Sequence, residues 1–200
     1  MFTGIIRNTG IVHGFHEANG NLELWVKAAI AQQIQIDQSI AHNGICLTVV
    51  EIDGDRYRVT AIPETRKKTT IDSWQVGDEL NLEFSLAMGD KLDGHQVQGH
   101  VDTVATCVFK EMTGGSWNYR FKFDSSQVDF RAVNKGSIAI NGISLTVVDP
   151  TDDEIGVCII PYTYENTNMR FIEEGFTVNL EFDIIGKYIE QYMKRYGLVQ

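Results

Sequence analysis

Ser39-Ile40-Ala41-His42-Asn43-Gly44-Ile45-Cys46-Leu47-Thr48-Val49-Val50 and Ser137-Ile138-Ala139-Ile140-Asn141-Gly142-Ile143-Ser144-Leu145-Thr146-Val147-Val148 are two copies of one stretch. They lie 98 residues apart and agree at ten of twelve positions. A match of that length at about half the chain length marks a tandem duplication. Each copy sets Asn-Gly, a pair in which both residues tolerate positive φ, between two β-prone runs, which predicts a tight hairpin. The two mismatches, His42 against Ile140 and Cys46 against Ser144, mark positions where equivalent halves have diverged.

The same offset carries outward. Val59, Ile62, Pro63, Thr65 and Thr69 recur as Val157, Ile160, Pro161, Thr163 and Thr167, Gly77 recurs as Gly175, and the run 81–84 (NLEF) recurs at 179–182. Upstream, Thr3-Gly4-Ile5-Ile6 aligns with Gly99-His100-Val101-Asp102 at an offset of 96. The junction then falls just before Gly99, after the Gly/Asp-rich stretch 88–94, and the chain divides into 1–96, 97–183 and a C-terminal segment 184–200. Strict alternation in Glu79–Leu86 and Phe176–Phe182 predicts half-buried strands. Further strands are expected at 22–26, 45–52, 57–62, 104–109, 117–123, 143–148 and 155–160, separated by turn residues such as Asn19-Gly20, Gly54, Gly114-Gly115 and Asp149-Pro150. Five or six short strands per half, with no long helical pattern between them, predict an all-β chain of two tandem antiparallel barrels. From Ile184, the residues Ile185, Tyr188, Ile189, Tyr192, Met193 and Tyr196 make an amphipathic helix stripe. That stripe packs either on its own barrel or on another copy.

Composition narrows the partners. Of the 200 residues 43% are hydrophobic and 22% charged, ordinary for a globular protein with two small cores. The net charge of −10 argues against nucleic acid and anionic membranes as partners. No run approaches the roughly 18 apolar residues that span a bilayer. The start has no basic region before its short apolar run, so the expected location is the cytoplasm. Cys46, Cys107 and Cys158 form no CxxC pair and are expected to be free thiols.

Candidate chemistry gathers at the junction. His95 and His100 lie in the run 94–100, but no Cys, Asp or His set completes a metal site at recognised spacing, so no metal is expected. His100 is a candidate for proton transfer, because imidazole titrates near neutrality; a structural histidine is the plain alternative. Cys46 is either a small buried hydrophobe or a nucleophile at a pocket mouth. Thr48 and Thr146 share a strand face with Cys46 and Ser144. The paired Pro63-Glu64-Thr65 and Pro161-Tyr162-Thr163 follow strands and offer hydroxyls and amides suited to a flat polar heterocycle. There is no P-loop and no dinucleotide fingerprint. Two near-equivalent pockets suit a reaction between two copies of one molecule.

Met1-Phe2-Thr3-Gly4-Ile5-Ile6, the doubled Asn-Gly-Ile-x-Leu-Thr-Val, the run from Gly94-His95 to Gly99-His100-Val101-Asp102 and the doubled Ile-Pro-x-Thr together resemble riboflavin synthases of the α-chain type, over essentially the whole chain. The resemblance implies two six-stranded Greek-key barrels, a C-terminal helix and a homotrimer formed through that helix. It implies dismutation of two molecules of 6,7-dimethyl-8-ribityllumazine to riboflavin and 5-amino-6-(D-ribitylamino)uracil, without cofactor or metal, at a site shared by neighbouring subunits. Association with lumazine synthase belongs to the same expectation. Carried over by position, one pocket uses Gly4, Ile5, Ile6, Cys46, Leu47, Thr48, Thr60, Ala61, Ile62, Pro63, Glu64 and Thr65. The other uses Gly99, His100, Val101, Ser144, Leu145, Thr146, Ile159, Ile160, Pro161, Tyr162, Thr163 and Tyr164, with Lys135 reaching a ligand from the adjacent chain. Phe2, Ser39, Cys46, His100, Thr146 and Asp183 match positions implicated in activity. His100 would move a proton of the lumazine C7 methyl, with Cys46 and Ser39 as relay or nucleophile. Asp93, Tyr162 and Arg66 depart from residues common in the family.

Two other classes fit a duplicated barrel. Lumazine proteins of luminous bacteria hold a fluorescent ligand without turning it over, but have lost much of the histidine-containing junction that this chain keeps. A flavin-reductase-type barrel lacks support because its dinucleotide-binding half is missing here.

Overall fold

The computed structural model describes residues 1–128 and 131–198, so Val199 and Gln200 of the expected terminal segment lie outside the described residues. The first barrel is built from β1 (Asn8–Ala18), β2 (Asn21–Lys27), β3 (Ser39–His42), β4 (Ile45–Asp53), β5 (Arg56–Ala61) and β6 (Glu79–Phe84). The second is built from β7 (Thr103–Thr113), β8 (Ser116–Phe123), β9 (Ser137–Ile140), β10 (Ile143–Val148), β11 (Glu154–Ile159) and β12 (Thr177–Phe182). Both close with one strand order, β1-β2-β5-β4-β3-β6 and β7-β8-β11-β10-β9-β12, every pair antiparallel. Each barrel encloses its own core, around Leu24, Ile40 and Tyr57 in the first and Tyr119, Phe121 and Ile138 in the second.

β1, β3 and β9 were not among the separately expected strands. β1 breaks its register between Val12 and Gly14, a bulge that bends the strand and hides a simple alternation. Two short helices also appear, α1 (Pro63–Lys68) and α2 (Pro161–Asn166), each opened by the repeated proline. Proline suits that first position because its fixed φ is helical and its missing N–H would have had no partner. Thr69 and Thr167 close these helices by donating to the carbonyls of Thr65 and Thr163, at 2.8 and 2.6 Å.

The Asn-Gly hairpins form as the sequence requires, with φ of +47° and +79° at Asn43-Gly44 and +46° and +78° at Asn141-Gly142. Their tips meet at the barrel junction. A Cβ on either Gly44 or Gly142 would stand 2.7 Å from the other's backbone nitrogen, so only glycine permits this approach. Around the tips the repeated asparagines cross over. Asn81 N donates to Asn43 Oδ1 while Asn81 Nδ2 donates to the Asn141 carbonyl, and Asn179 does the same with Asn141 Oδ1 and the Asn43 carbonyl. All four side chains are buried.

This corrects the reading of 79–86 and 176–182 as half-buried strands. Asn81, Glu83, Asn179 and Glu181 are buried along with the leucines between them, because the polar face of each strand meets protein rather than water. The carboxylate of Glu83 accepts Thr3 N, Thr3 Oγ1 and Gly4 N at 2.7–2.9 Å, and that of Glu181 accepts Gln98, Gly99 and His100 N at 2.7–3.1 Å. Thus the last strand of each barrel clasps the arm that precedes its first strand. The clasps also correct the upstream alignment. Thr3 and Gly4 are equivalent to Gln98 and Gly99, an offset of 95 rather than 96.

After β12, α3 (Ile184–Arg195) is capped by Asp183, whose Oδ1 accepts Ile185 N at 2.9 Å. None of its residues is buried, and Ile185, Tyr188, Ile189 and Tyr192 are each more than half exposed. The stripe therefore does not pack down on the chain's own barrel.

Candidate active site

Each arm is clasped by its own barrel but plugs into the other one. Phe2 and Val97 pair across the pseudo-two-fold axis, N–H to carbonyl in both directions at 2.7 and 3.1 Å. Beyond that crossing, Gly4 O accepts Ser144 N at 2.8 Å and Gly99 O accepts Cys46 N at 2.9 Å. Ile6 joins the core of the second barrel and Val101 packs against the core of the first. Gly4 and Gly99 adopt φ of +76° and +81°, and a Cβ on either would lie 2.5–2.6 Å from the side chain beneath it, Ser144 or Cys46.

The arms therefore exchange the expected pocket membership. Gly4, Ile5 and Ile6 belong with Ser144, and Gly99, His100 and Val101 belong with Cys46. Grouping by order along the chain fails because the crossing at Phe2 and Val97 carries each arm over to the neighbouring barrel.

On the first barrel this builds a cavity of about 480 Å³. Cys46, Glu64, Thr65, Gly99, His100 and Val101, all expected site residues, line it. Lys68, Asp102 and Gln127 line it as well and were not anticipated. His100 is exposed at the wall and Cys46 is half-buried below Gly99. Thr48, exposed on the Cys46 face of β4, faces Ser39 across the β3–β4 pair, and Thr146 faces Ser137 likewise. Leu47, Ala61 and Ile159 are core residues, while Thr60 is half-buried and Ile62, Pro63, Ile160, Pro161 and Tyr162 are exposed around α1 and α2.

On the second barrel, Ser144 Oγ lies 2.7 Å from His95 Nδ1, a hydroxyl–imidazole pair where the first barrel has a lone thiol. Burial lowers the His95 pKa, opposed by the charge of Asp183. Leu145 and Tyr164 pack on the core, and the Tyr164 ring stacks on Trp117 at 4.3 Å between centroids. Thr163 is half-buried, its carbonyl held by Thr167. Lys135 is exposed in the turn before β9, outside the cavity of its own chain. Phe2 is fully buried with Ala41, Val97 and Ala139, so it sets the arm crossing rather than touching the cavity.

Three carboxylates support these walls. Burial raises the pKa of Glu83, and it lifts Glu181 to about 7 against the pull of its N–H partners and Lys187. Burial likewise raises Asp102, opposed by Lys187. The repeated glutamate of 81–84 and 179–182 was the visible signal for the clasps; read as solvent-facing alternation, it was passed over. A larger cavity of about 900 Å³ runs along the barrel junction by Trp74, Arg170 and Phe171. None of the expected site residues lines it, and Trp74 and Arg170 are already paired with Thr70 and Glu79. Among the described residues no cluster of three or more His, Cys, Asp or Glu is arranged to hold a metal ion, and no helix is long and apolar enough to cross a membrane.

The lumazine binding domain family model matches residues 3–85 and again 98–183, repeating the offset of 95 that the clasps reveal. Riboflavin synthase of Bacillus subtilis is 36% identical over 196 residues, covering 98% of this chain and 91% of the relative. That of Actinobacillus pleuropneumoniae is 37% identical over 197 residues, covering 96% and 90%. The chain belongs to the riboflavin synthase family. Riboflavin synthase of Saccharomyces cerevisiae, 36% identical with coverage of 96% and 85%, extends the likeness to fungi. Among solved structures, LumP complexed with 6,7-dimethyl-8-(1'-D-ribityl) lumazine superposes with a TM-score of 0.82 at 25% identity, covering 91% of this chain and 99% of that one. Members of the riboflavin synthase family are therefore closer in sequence than this lumazine-bound structure, although the barrels are shared by both.

Proposed function

We propose that the protein is a transferase that converts two molecules of 6,7-dimethyl-8-ribityllumazine into riboflavin and 5-amino-6-(D-ribitylamino)uracil. The observation that carries the reading is the doubled, cross-plugged site. One motif is built twice about a pseudo-two-fold axis, yet one copy pairs Cys46 with the His100 arm and the other pairs Ser144 with His95. A dismutation needs that arrangement, because two identical molecules must be bound alike and treated differently. One lumazine loses a proton from its C7 methyl, with His100 as the acceptor. The other is attacked at C7, with Cys46 or Ser39 as nucleophile or relay. The four-carbon unit then passes from donor to acceptor: its bonds to the donor's two ring nitrogens break, the added nucleophile is expelled, and the stripped donor leaves as the uracil with those nitrogens protonated. Holding two rings face to face supplies much of the acceleration by proximity alone.

The working unit in this reading is a homotrimer in the cytoplasm, with the lumazine-binding units 1–96 and 97–183 and the segment 184–200 as the oligomerising element. The exposed stripe of α3, and the groove of about 470 Å³ between it and residues 131–137, support self-association. The first barrel of one subunit then faces the second barrel of its neighbour, and Lys135 reaches across. Thr146 and Asp183 line or cap the second half of that shared site, and association with lumazine synthase is part of the same proposal.

A binding-only antenna, as the likeness to LumP suggests, is the competing reading. Purified protein given the lumazine as sole substrate is expected to form riboflavin, and His100→Ala is expected to slow it by about 10²–10⁴-fold. Tight lumazine binding with no riboflavin formed would overturn the enzyme reading in favour of the antenna.

A further inference from the structure

The wall of the first-barrel cavity is tied to the C-terminal helix. Lys187 of α3 places its Nζ 2.7 Å from Asp102 Oδ1, and both side chains are largely buried, at 12% and 14% exposure. Asp102 Oδ2 also accepts Phe182 N at 2.8 Å, and Asp102 N donates to Leu180 O at 2.9 Å. Asp102 itself lines the cavity, two residues beyond His100. The arm 98–102 is thus held on one side by Glu181 and on the other by a cation carried on α3. Apart from the Lys187 side chain, α3 is held only loosely: its apolar residues Ile185, Tyr188, Ile189 and Tyr192 all stay more than half exposed. Its register relative to the cavity therefore depends on the Asp102–Lys187 pair, on the cap at Asp183 and on whatever covers the apolar stripe.

From this geometry we propose that Lys187 and Asp102 are positioning residues that make the placement of His100 depend on the seating of α3. Whatever fixes the helix, a second copy of this chain above all, thereby sets the catalytic wall. This inference rests on the proposed lumazine chemistry for its kinetic readout, but the geometric part stands without it. Neither residue needs to touch substrate to act. Without Lys187, a buried carboxylate facing Glu181 loses its hydrogen-bonded cation and keeps only the weaker pull of Lys68, and the arm relaxes away from it.

The test uses Lys187→Met and Asp102→Asn in the full chain, with Lys187→Arg as the conservative control. Both disruptive variants are expected to lower kcat about tenfold to a hundredfold with KM within about threefold, since a displaced catalytic group costs rate more than binding. Lys187→Arg is expected to recover most of the rate. Sedimentation on the same samples reads the assembly state. A kcat within about twofold of the parent in both variants, or a loss that follows dissociation of the assembly, overturns the proposal. If Lys187→Met does not fold, Asp102→Asn decides alone, because it leaves α3 unaltered. If the parent protein itself makes no riboflavin, the functional reading fails and amide exchange decides. Gln98, Gly99 and His100 exchanging about tenfold faster in either variant supports the tether; unchanged exchange overturns it.

Discussion

At the scale of single residues, His42 shows how a duplicated sequence hides a paired change. His42 is fully buried and hydrogen-bonds Tyr57 Oη at 2.7 Å and the Ile40 carbonyl at 3.1 Å. At the equivalent places the second barrel has Ile140 and Ile155, both in its core. One barrel thus keeps a hydrogen-bonded polar pair where the other keeps an apolar one, and neither residue has a role in the cavity. His42→Ile alone strands the Tyr57 hydroxyl and is expected to cost about 1–3 kcal/mol, with Tyr57→Phe added on top recovering most of it; equilibrium unfolding of the three proteins checks this. Burial lowers the His42 pKa from 6.5 to about 4. The unfolded chain therefore takes up the proton first as pH falls, so stability is full above the unfolded value and drains away down to the folded one. Unfolding at pH 7 and pH 5 should differ by about 2 kcal/mol from this group, a difference the double variant lacks. The mismatch His42/Ile140 was legible in the sequence, but its partner Tyr57/Ile155 was not. The two residues sit on β3 and β5, which are not neighbours in the sheet, and meet only across the closed barrel.

At the scale of elements, the informative pieces are the arms and the strands that clasp them. Hairpins, the barrel strands other than the bulged β1, and α3 follow from local chemistry: Asn-Gly turns, β-prone runs and a 3.6-residue stripe, each readable within a dozen residues. The arms do not, because their partners lie about eighty residues away on β6 and β12 and on the opposite barrel. The same distance explains why Gly4 and Gly99 were assigned to the wrong pockets although both were recognised as site residues. Lys68 and Gln127 lie in no motif, and Asp102, although it ends the junction motif, shows its place in the wall only through contacts with β12 and α3 about eighty residues away. Glu181→Ala leaves three arm N–H groups without their acceptor, and is expected to lower stability on the order of 2–4 kcal/mol and to open residues 98–100 to amide exchange. Glu83→Ala should do the same for residues 3 and 4. A Glu181→Ala protein as stable as its parent, with the arm still protected, would show that the clasp is incidental.

For the whole molecule, two barrels meeting at Gly44 and Gly142 form a unit with a walled cavity at Cys46 on the first barrel, a Ser144–His95 pair at the equivalent place on the second, and one uncovered apolar helix. The net charge of −10 and the mixed cavity walls fit a small polar heterocycle, and the family to which the chain belongs fits the same reading. Removing the chain after Asp183 takes away both the stripe and Lys187, and is expected to give a monomer with little activity. A fully active monomer would contradict the shared site. In a dismutation one compound supplies both halves of the reaction. The direct measurement is the molar ratio of lumazine consumed to riboflavin formed, followed by absorbance with 6,7-dimethyl-8-ribityllumazine as the sole substrate. One riboflavin is expected for every two lumazines, with the ribitylaminouracil appearing in equal amount to riboflavin. A ratio of one to one, or consumption of lumazine without riboflavin, would contradict it.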